Sequence, residues 1–220
     1  MEPLFNNLPN SRKPAGDHLP GALLSDGFED LEDQARKLEC FETDPWAAKA
    51  ILNAELLTTN VLDPCCGTGV LTNAARDVGY WTVAWDIAHW GFKGQAAQRD
   101  FLSAEALDVP GDFTVFMNPP FSKACEFVEK AIQLGARKIV CFQRWAFWES
   151  DVRRTWWDEH PPQRVYICGE RATCWRFDIP PADRKTGSAT AHGWFVWEAG
   201  QPAGTVMGRL YRDTKPEMIL

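Results

Sequence analysis

Residues Phe113-Thr114-Val115-Phe116-Met117 form an apolar run that stops abruptly at Asn118-Pro119-Pro120-Phe121. A strand covered by helices on both faces, as in a parallel sheet, reads as such a near-continuous hydrophobic stretch. Proline cannot extend the ladder, because its φ is fixed and it has no N–H to donate. The tetrapeptide therefore marks the carboxyl end of a buried parallel strand. Its chemistry goes beyond what a turn needs. The Asn118 carbonyl oxygen and the Pro119 main-chain carbonyl can accept both hydrogens of a planar amine, while Phe121 stacks on the ring that carries it. Taken alone, the four residues fit a ligand-free Pro-rich turn equally well.

The residues upstream favour the chemical reading. Val61-Leu62-Asp63-Pro64-Cys65-Cys66-Gly67-Thr68-Gly69-Val70-Leu71 has the pattern of a short strand, a glycine turn and a helix start. Gly67 and Gly69 let the backbone turn tightly and approach a ligand, which would meet the free N–H groups of the helix that follows. Trp81 to Trp85 is the next strand, and Asp86 at its end is placed to accept hydrogen bonds from ribose hydroxyls. Asp100-Phe101 offers an acceptor for an adenine amine and a ring to lie against it. Helices are expected over 27–39, 45–57, 69–78, 122–134 (with Ser122 as cap) and 151–160, and strands over 138–142, 165–168 and 191–198. Such alternation implies a doubly wound sheet.

The order strand–glycine turn, strand–acid, Asp-Phe, strand–Asn-Pro-Pro-Phe resembles the class I S-adenosylmethionine-dependent methyltransferases. Within them it is similar to the DNA adenine-N6 methyltransferases, particularly small phage-type ones. Phe41-Glu42-Thr43-Asp44-Pro45 resembles that group's Phe-x-Thr-Pro segment, with Asp44 as an extra residue. The resemblance implies an α/β, Rossmann-like fold with a mostly parallel seven-stranded sheet and an antiparallel closing strand. It implies S-adenosylmethionine as cofactor, held by Phe41, Thr43, Asp63, Pro64, Gly67, Gly69, Asp86, Ile87, Asp100, Phe101 and Asn118. The catalytic set it implies is Asn118, Pro119, Pro120 and Phe121, with no metal. DNA is the first expected partner. An RNA base, a protein glutamine amide and a non-catalytic cofactor-binding role are the alternatives.

Composition sets the remaining bounds. A chain of 220 residues can bury one sizeable core, so we expect a flexible arm at 1–26, a single domain at 27–220 and a recognition insertion at 168–190. No apolar run approaches the roughly 18 residues of a membrane span, and the N-terminal residues lack a signal-peptide pattern. Together with seven cysteines and no Cys-x-x-Cys pair, this suggests a cytoplasmic protein with reduced thiols. The net charge of −7 gives no overall footprint for nucleic acid. Its distribution is uneven, with −5 over residues 1–42, −3 over 43–142 and +1 over 143–220. The arginines of the last segment suit phosphate and base edges, although such a scatter also describes an ordinary solvated surface. Arg144, Trp145, Arg171, Trp175, Arg176 and Lys185 are the candidate nucleic-acid contacts. The 11 tryptophans, among them Trp145, Trp148, Trp156, Trp157 and Trp175, suit base stacking or core packing. His192 is expected to be a locally hydrogen-bonded strand residue.

Overall fold

The computed structural model describes residues 31–177, 179–185, 189–202 and 204–216. The expected arm at 1–26 lies outside the described residues, as do positions 27–30 of the first helix. In chain order the elements are α1 (Leu31–Lys37), β1 (Phe41–Glu42), α2 (Pro45–Ala54), β2 (Asn60–Asp63), α3 (Val70–Asp77), β3 (Trp81–Asp86), β4 (Ala97–Gln98), β5 (Phe113–Met117), α4 (Ala124–Gln133), β6 (Lys138–Arg144), α5 (Arg154–Glu159), β7 (Arg164–Cys168), β8 (Trp175–Arg176), β9 (His192–Glu198) and β10 (Val206–Leu210).

Among the described residues, eight strands form one sheet in the order β10-β7-β9-β6-β5-β2-β3-β4. Strands β2 to β6 run parallel, and β9 is antiparallel to both its neighbours, β6 and β7. This is the doubly wound, mostly parallel sheet with one antiparallel strand. It has one strand more than the seven expected, because β10 adds to the β7 edge. Of its five residues only Leu210 is buried, so its apolar pattern is too thin to announce a strand. The antiparallel strand also lies inside the sheet rather than closing it.

Strand residues alternate strictly between two helix-covered faces, which is why β5 reads as an unbroken apolar run. Phe116 of β5, Val140 and Phe142 of β6, and Trp194 and Val196 of β9 pack with Ala47, Ile51, Leu71 and Ala75 of α2 and α3. Val115 and Met117, Ile139 and Cys141, and Phe195 and Trp197 pack on the other face, with Phe127, Val128 and Ala131 of α4. Trp145, Trp148, Trp156 and Trp157 join this second layer, so packing accounts for these four tryptophans.

The connections set where a ligand can sit. The chain moves outward from β2 through β3 to β4, then returns to β5 on the opposite side of β2 and continues to β6. In open α/β sheets, the crevice beyond the strand carboxyl ends at such a reversal is where ligands bind. The glycine turn follows β2 and Asn118 follows β5, so both flank it.

Helix ends depart from expectation for tertiary reasons. Helix α2 stops at Ala54 because Glu55 is extended (φ −128°, ψ 124°) and its carboxylate joins a buried ion cluster. Ser122 does not cap α4. It lies inside a 3-10 turn, Phe121–Lys123, that precedes the helix, and its N–H donates to Glu39 Oε2 at 3.2 Å. A similar turn, Asp151–Arg153, shortens the 151–160 helix to α5.

Candidate functional site

A pocket of about 990 Å³, solvent at its mouth included, opens at the reversal point between β2 and β5. The glycine turn forms its floor. Gly67 and Gly69 have φ of +52° and +89°, a region that side chains disfavour. A Cβ on Gly69 would lie 2.4 Å from the Phe92 ring, whereas one on Gly67 would meet only Cys40 Sγ at 3.7 Å. Gly67 N–H donates to Asp86 Oδ2 at 2.9 Å. Asp86 Oδ1 accepts from Ala88 N and Trp90 Nε1, each at 3.0 Å. Burial raises the Asp86 pKa, and these three bonds oppose the rise. The Ile87 N–H also bonds this carboxylate, so Asp86 is held rigidly at the pocket wall, where a ligand hydroxyl would share its oxygens.

Pro64, Gly67, Asp86, Ile87, Asp100, Phe101, Phe41, Thr43 and Asn118 all line this pocket. Asp63 and Gly69 do not; they shape the turn from behind. Asp63 is fully buried, with Oδ2 accepting from Thr72 Oγ1 at 2.7 Å and Oδ1 without a hydrogen-bond partner. Burial, reinforced by the nearby Asp86 charge, pushes its pKa up to about 7. Asp100 accepts from Leu102 N and Ser103 Oγ at 3.0 and 2.7 Å, which fixes the carboxylate at the rim. Phe101 packs on Phe127 at 5.4 Å between ring centroids.

Asn118 sits where β5 gives way to the prolines. Its Nδ2 donates to Phe41 O at 3.0 Å and to Thr43 Oγ1 at 2.9 Å. A main-chain carbonyl only accepts, so the amide nitrogen must face it and Oδ1 must point the other way. Sequence reasoning supplied the asparagine but not this clamp, which joins β5 to the Phe41–Thr43 segment. The Pro119 carbonyl accepts from Gln143 Nε2 at 3.3 Å, leaving its second lone pair. Gln143, at the carboxyl end of β6, is buried. A lone amide near the end of an otherwise apolar strand was the signal that could have found it.

A second pocket adjoins the first across Phe41 and is lined by Phe121, Gln143 and Arg144, with Arg36, Arg153 and Arg176. Of the candidate nucleic-acid contacts, Arg144 and Arg176 line it. The others do not. Trp145 stacks on Trp148 at 6.3 Å, Arg171 donates to Ala189 O at 2.9 Å, and Trp175 Nε1 donates to the Lys185 carbonyl at 3.1 Å. Arg36 and Arg153 escaped sequence reasoning because only the fold brings α1 and the turn before α5 beside Phe121.

The expected insertion at 168–190 is tied to the first pocket. Its β8 pairs antiparallel with β1, and Phe177 N–H donates to Cys40 O at 3.0 Å. Glu42 bridges the two sides, accepting from Thr68 Oγ1 of the glycine turn at 2.6 Å and pairing with Arg184 of the insertion.

Two candidate nucleophile or base types are set aside by their protonation. Burial pushes the thiols of Cys40, Cys65 and Cys66, which line the first pocket, well above their ordinary pKa, so they are neutral and poorly nucleophilic. His192 is buried, its pKa pushed down to about 4 by burial, and its Nδ1 bonds Ala172 O at 3.0 Å. All seven cysteines are free. Among the described residues there is no cluster able to hold a metal and no helix long and apolar enough to cross a membrane.

No family model and no curated protein matches this chain. Solved structures do. A type I restriction-modification methyltransferase subunit from Streptococcus thermophilus aligns at 13% identity and a TM-score of 0.50, over 74% of this chain and 45% of that one. A modification subunit of a putative type I restriction enzyme from Vibrio vulnificus aligns at 14% and 0.50, over 80% and 50%. A predicted O-methyltransferase from Agrobacterium tumefaciens aligns at 10% and 0.51, over 77% and 87%. The chain spans about half the length of the two restriction-modification subunits. The fold is the Rossmann-like one of methyltransferases.

Proposed function

We propose that this protein transfers a methyl group from S-adenosylmethionine to an exocyclic amine, and that the amine is adenine N6 in DNA. The observation that carries the reading is the clamped Asn118 amide, standing between a glycine-floored pocket and an arginine-lined one. The first pocket fits the cofactor in kind. It offers a left-handed glycine turn that approaches closely, the fixed Asp86 carboxylate at its wall for ribose, and Asp100-Phe101 for the adenine edge and face.

Bound there, S-adenosylmethionine supplies an electrophilic methyl group. The protein's own residues do the rest by alignment. Asn118 Oδ1 and the free lone pair of the Pro119 carbonyl accept the two amine hydrogens. Holding both N–H bonds directs the nitrogen lone pair, otherwise delocalised into the ring, towards the first pocket. Phe121 offers its face to the ring. No strong general base is required, which fits neutral thiols and a neutral His192.

The four arginines of the second pocket favour a phosphodiester acceptor over a glutamine amide, because phosphate oxygens match guanidinium donors. The motif resemblance places DNA first. RNA is the second reading, since the same arginines would serve it.

Tritium transfer from labelled cofactor to DNA, RNA and protein, run side by side, tests the assignment. We expect label in DNA, and its loss with Asn118→Ala even at saturating cofactor. Label confined to protein, or unimpaired turnover in Asn118→Ala, would reject it.

A further inference from the structure

Resting on the nucleic-acid reading above, we propose that Arg144 holds the place of the target base on Phe121 and leaves it when the base arrives. Phe121 is the ring that reading assigns to the base, yet it is already covered. The Arg144 guanidinium carbon lies 4.1 Å from the Phe121 ring centroid and 5.8 Å from that of Phe41. The two rings are 5.5 Å apart and tilted by 33°, so the cation rests against both. A guanidinium is flat, rimmed with N–H donors and stacks on aromatic faces. It occupies a ring face much as a flat nitrogen heterocycle does.

What holds Arg144 there can be exchanged. The residue is exposed, and no described carboxylate forms an ion pair with it. Glu39, which lines the same pocket, is engaged with the Ser122 N–H. The other groups beside Arg144 are Cys174 and His192, which burial keeps uncharged. The main chain, by contrast, is anchored. Arg144 pairs in register with His192, and Trp145 N–H donates to Ala191 O at 2.8 Å. Only the side chain needs to move. Once displaced it remains in a pocket shared with Arg153 and Arg176, where a flanking phosphate is its natural partner. One residue thus covers the ring in the free protein and adds a phosphate contact in the complex.

The test uses the full-length protein with isotope-labelled arginine and a mixed-sequence single-stranded DNA oligonucleotide, with cofactor present. In the free protein the Arg144 side-chain protons should resonate upfield, chiefly through the ring current of Phe121 as the nearer ring, and Phe121→Leu should remove most of that shift. Saturating oligonucleotide should return the resonances to ordinary positions. Arg144→Ala should make the slope of log affinity against log salt shallower by about one, and Arg144→Lys should keep the slope. Oligonucleotide binding with the upfield shift intact, or an unchanged slope in Arg144→Ala, would overturn the exchange while leaving the nucleic-acid reading in place. Failure of the wild-type protein to bind DNA or RNA at any salt would sink that reading, and the exchange with it.

Discussion

A primary amide can present either end to a substrate, and in this protein Phe41 and Thr43 decide which. The Thr43 hydroxyl is one of two acceptors that hold Asn118 Nδ2, and it is buried. Thr43→Val keeps the shape but removes that acceptor. We expect kcat to fall about ten- to a hundredfold, in line with the cost of a small misplacement, and Thr43→Ser to restore it. Steady-state transfer assays decide this, and wild-type turnover in Thr43→Val would show that the hydroxyl does not orient the amide. Two glycines give a second residue-level contrast. Gly79 has φ +98° with open space where a Cβ would go, whereas Gly69 has φ +89° and the Phe92 ring 2.4 Å from that position. Gly79→Ala should lose about 1 kcal/mol from backbone strain alone. Gly69→Ala should lose a further 1–3 kcal/mol or so from overpacking, measured by urea unfolding. Equal losses would mean that Phe92 simply yields.

At the scale of elements, a buried ion cluster ties α2 to the end of the sheet opposite the candidate site. Glu55, just beyond α2, accepts from Lys138 Nζ at 3.0 Å, from Tyr166 OH at 2.8 Å and from the Arg164 guanidinium, while Glu198 also pairs with Arg164. Burial alone would raise the Glu55 pKa. The Arg164 hydrogen bonds and the charge of Lys138 outweigh burial and hold it below the ordinary carboxylate value. A depressed carboxylate contributes stability that is fully present above its unfolded pKa, about 4.3, and is lost as pH falls through the lower folded value. Glu55→Ala, which leaves Lys138 and Arg164 with one partner fewer, should cost about 3–5 kcal/mol near neutral pH. The gap to wild type should narrow below about pH 4, and a pH-independent gap in chemical unfolding would contradict the cluster's role. The same cluster shows why helix ends were hard to read. Apolar spacing carries α2 to residue 57, and only the distant Lys138 and Arg164 pull Glu55 out of it. Strands β5 and β6 were legible because both their faces are covered, whereas β10 shows just one buried residue. Asn118, Gly67 and Asp86 could be placed because their chemistry sits at strand ends, where the motif order fixes position. Arg36 and Arg153 reach the site through packing that no local pattern encodes, whereas Gln143 is marked only as a lone amide near the end of an apolar strand.

At the scale of the whole molecule, the candidate substrate pocket is a basic site on an acidic protein. With a net charge of −7, long-range steering of a polyanion is unfavourable, so under the proposed function affinity would have to come from the local arginines and from coupling to the first pocket. The coupling has a physical route. Glu42 touches the glycine turn through Thr68 and the 168–190 insertion through Arg184, and the β1–β8 ladder joins the Phe41–Glu42 segment to the same insertion. Ordering of this segment over a bound cofactor would pre-order the insertion for nucleic acid. By linkage, nucleic acid would then tighten cofactor binding by the same factor. We expect S-adenosylmethionine to strengthen binding of a single-stranded DNA oligonucleotide by roughly 5- to 150-fold, read by fluorescence anisotropy at fixed salt. Arg184→Gln should bring that factor close to one. Because Arg184 also stacks on Trp175, at 5.3 Å, Trp175→Phe serves as the control that keeps an aromatic face and the Glu42 pair, and it should retain the coupling. An undiminished factor in Arg184→Gln would place the communication elsewhere, in the β1–β8 ladder or the Asn118–Thr43 clamp.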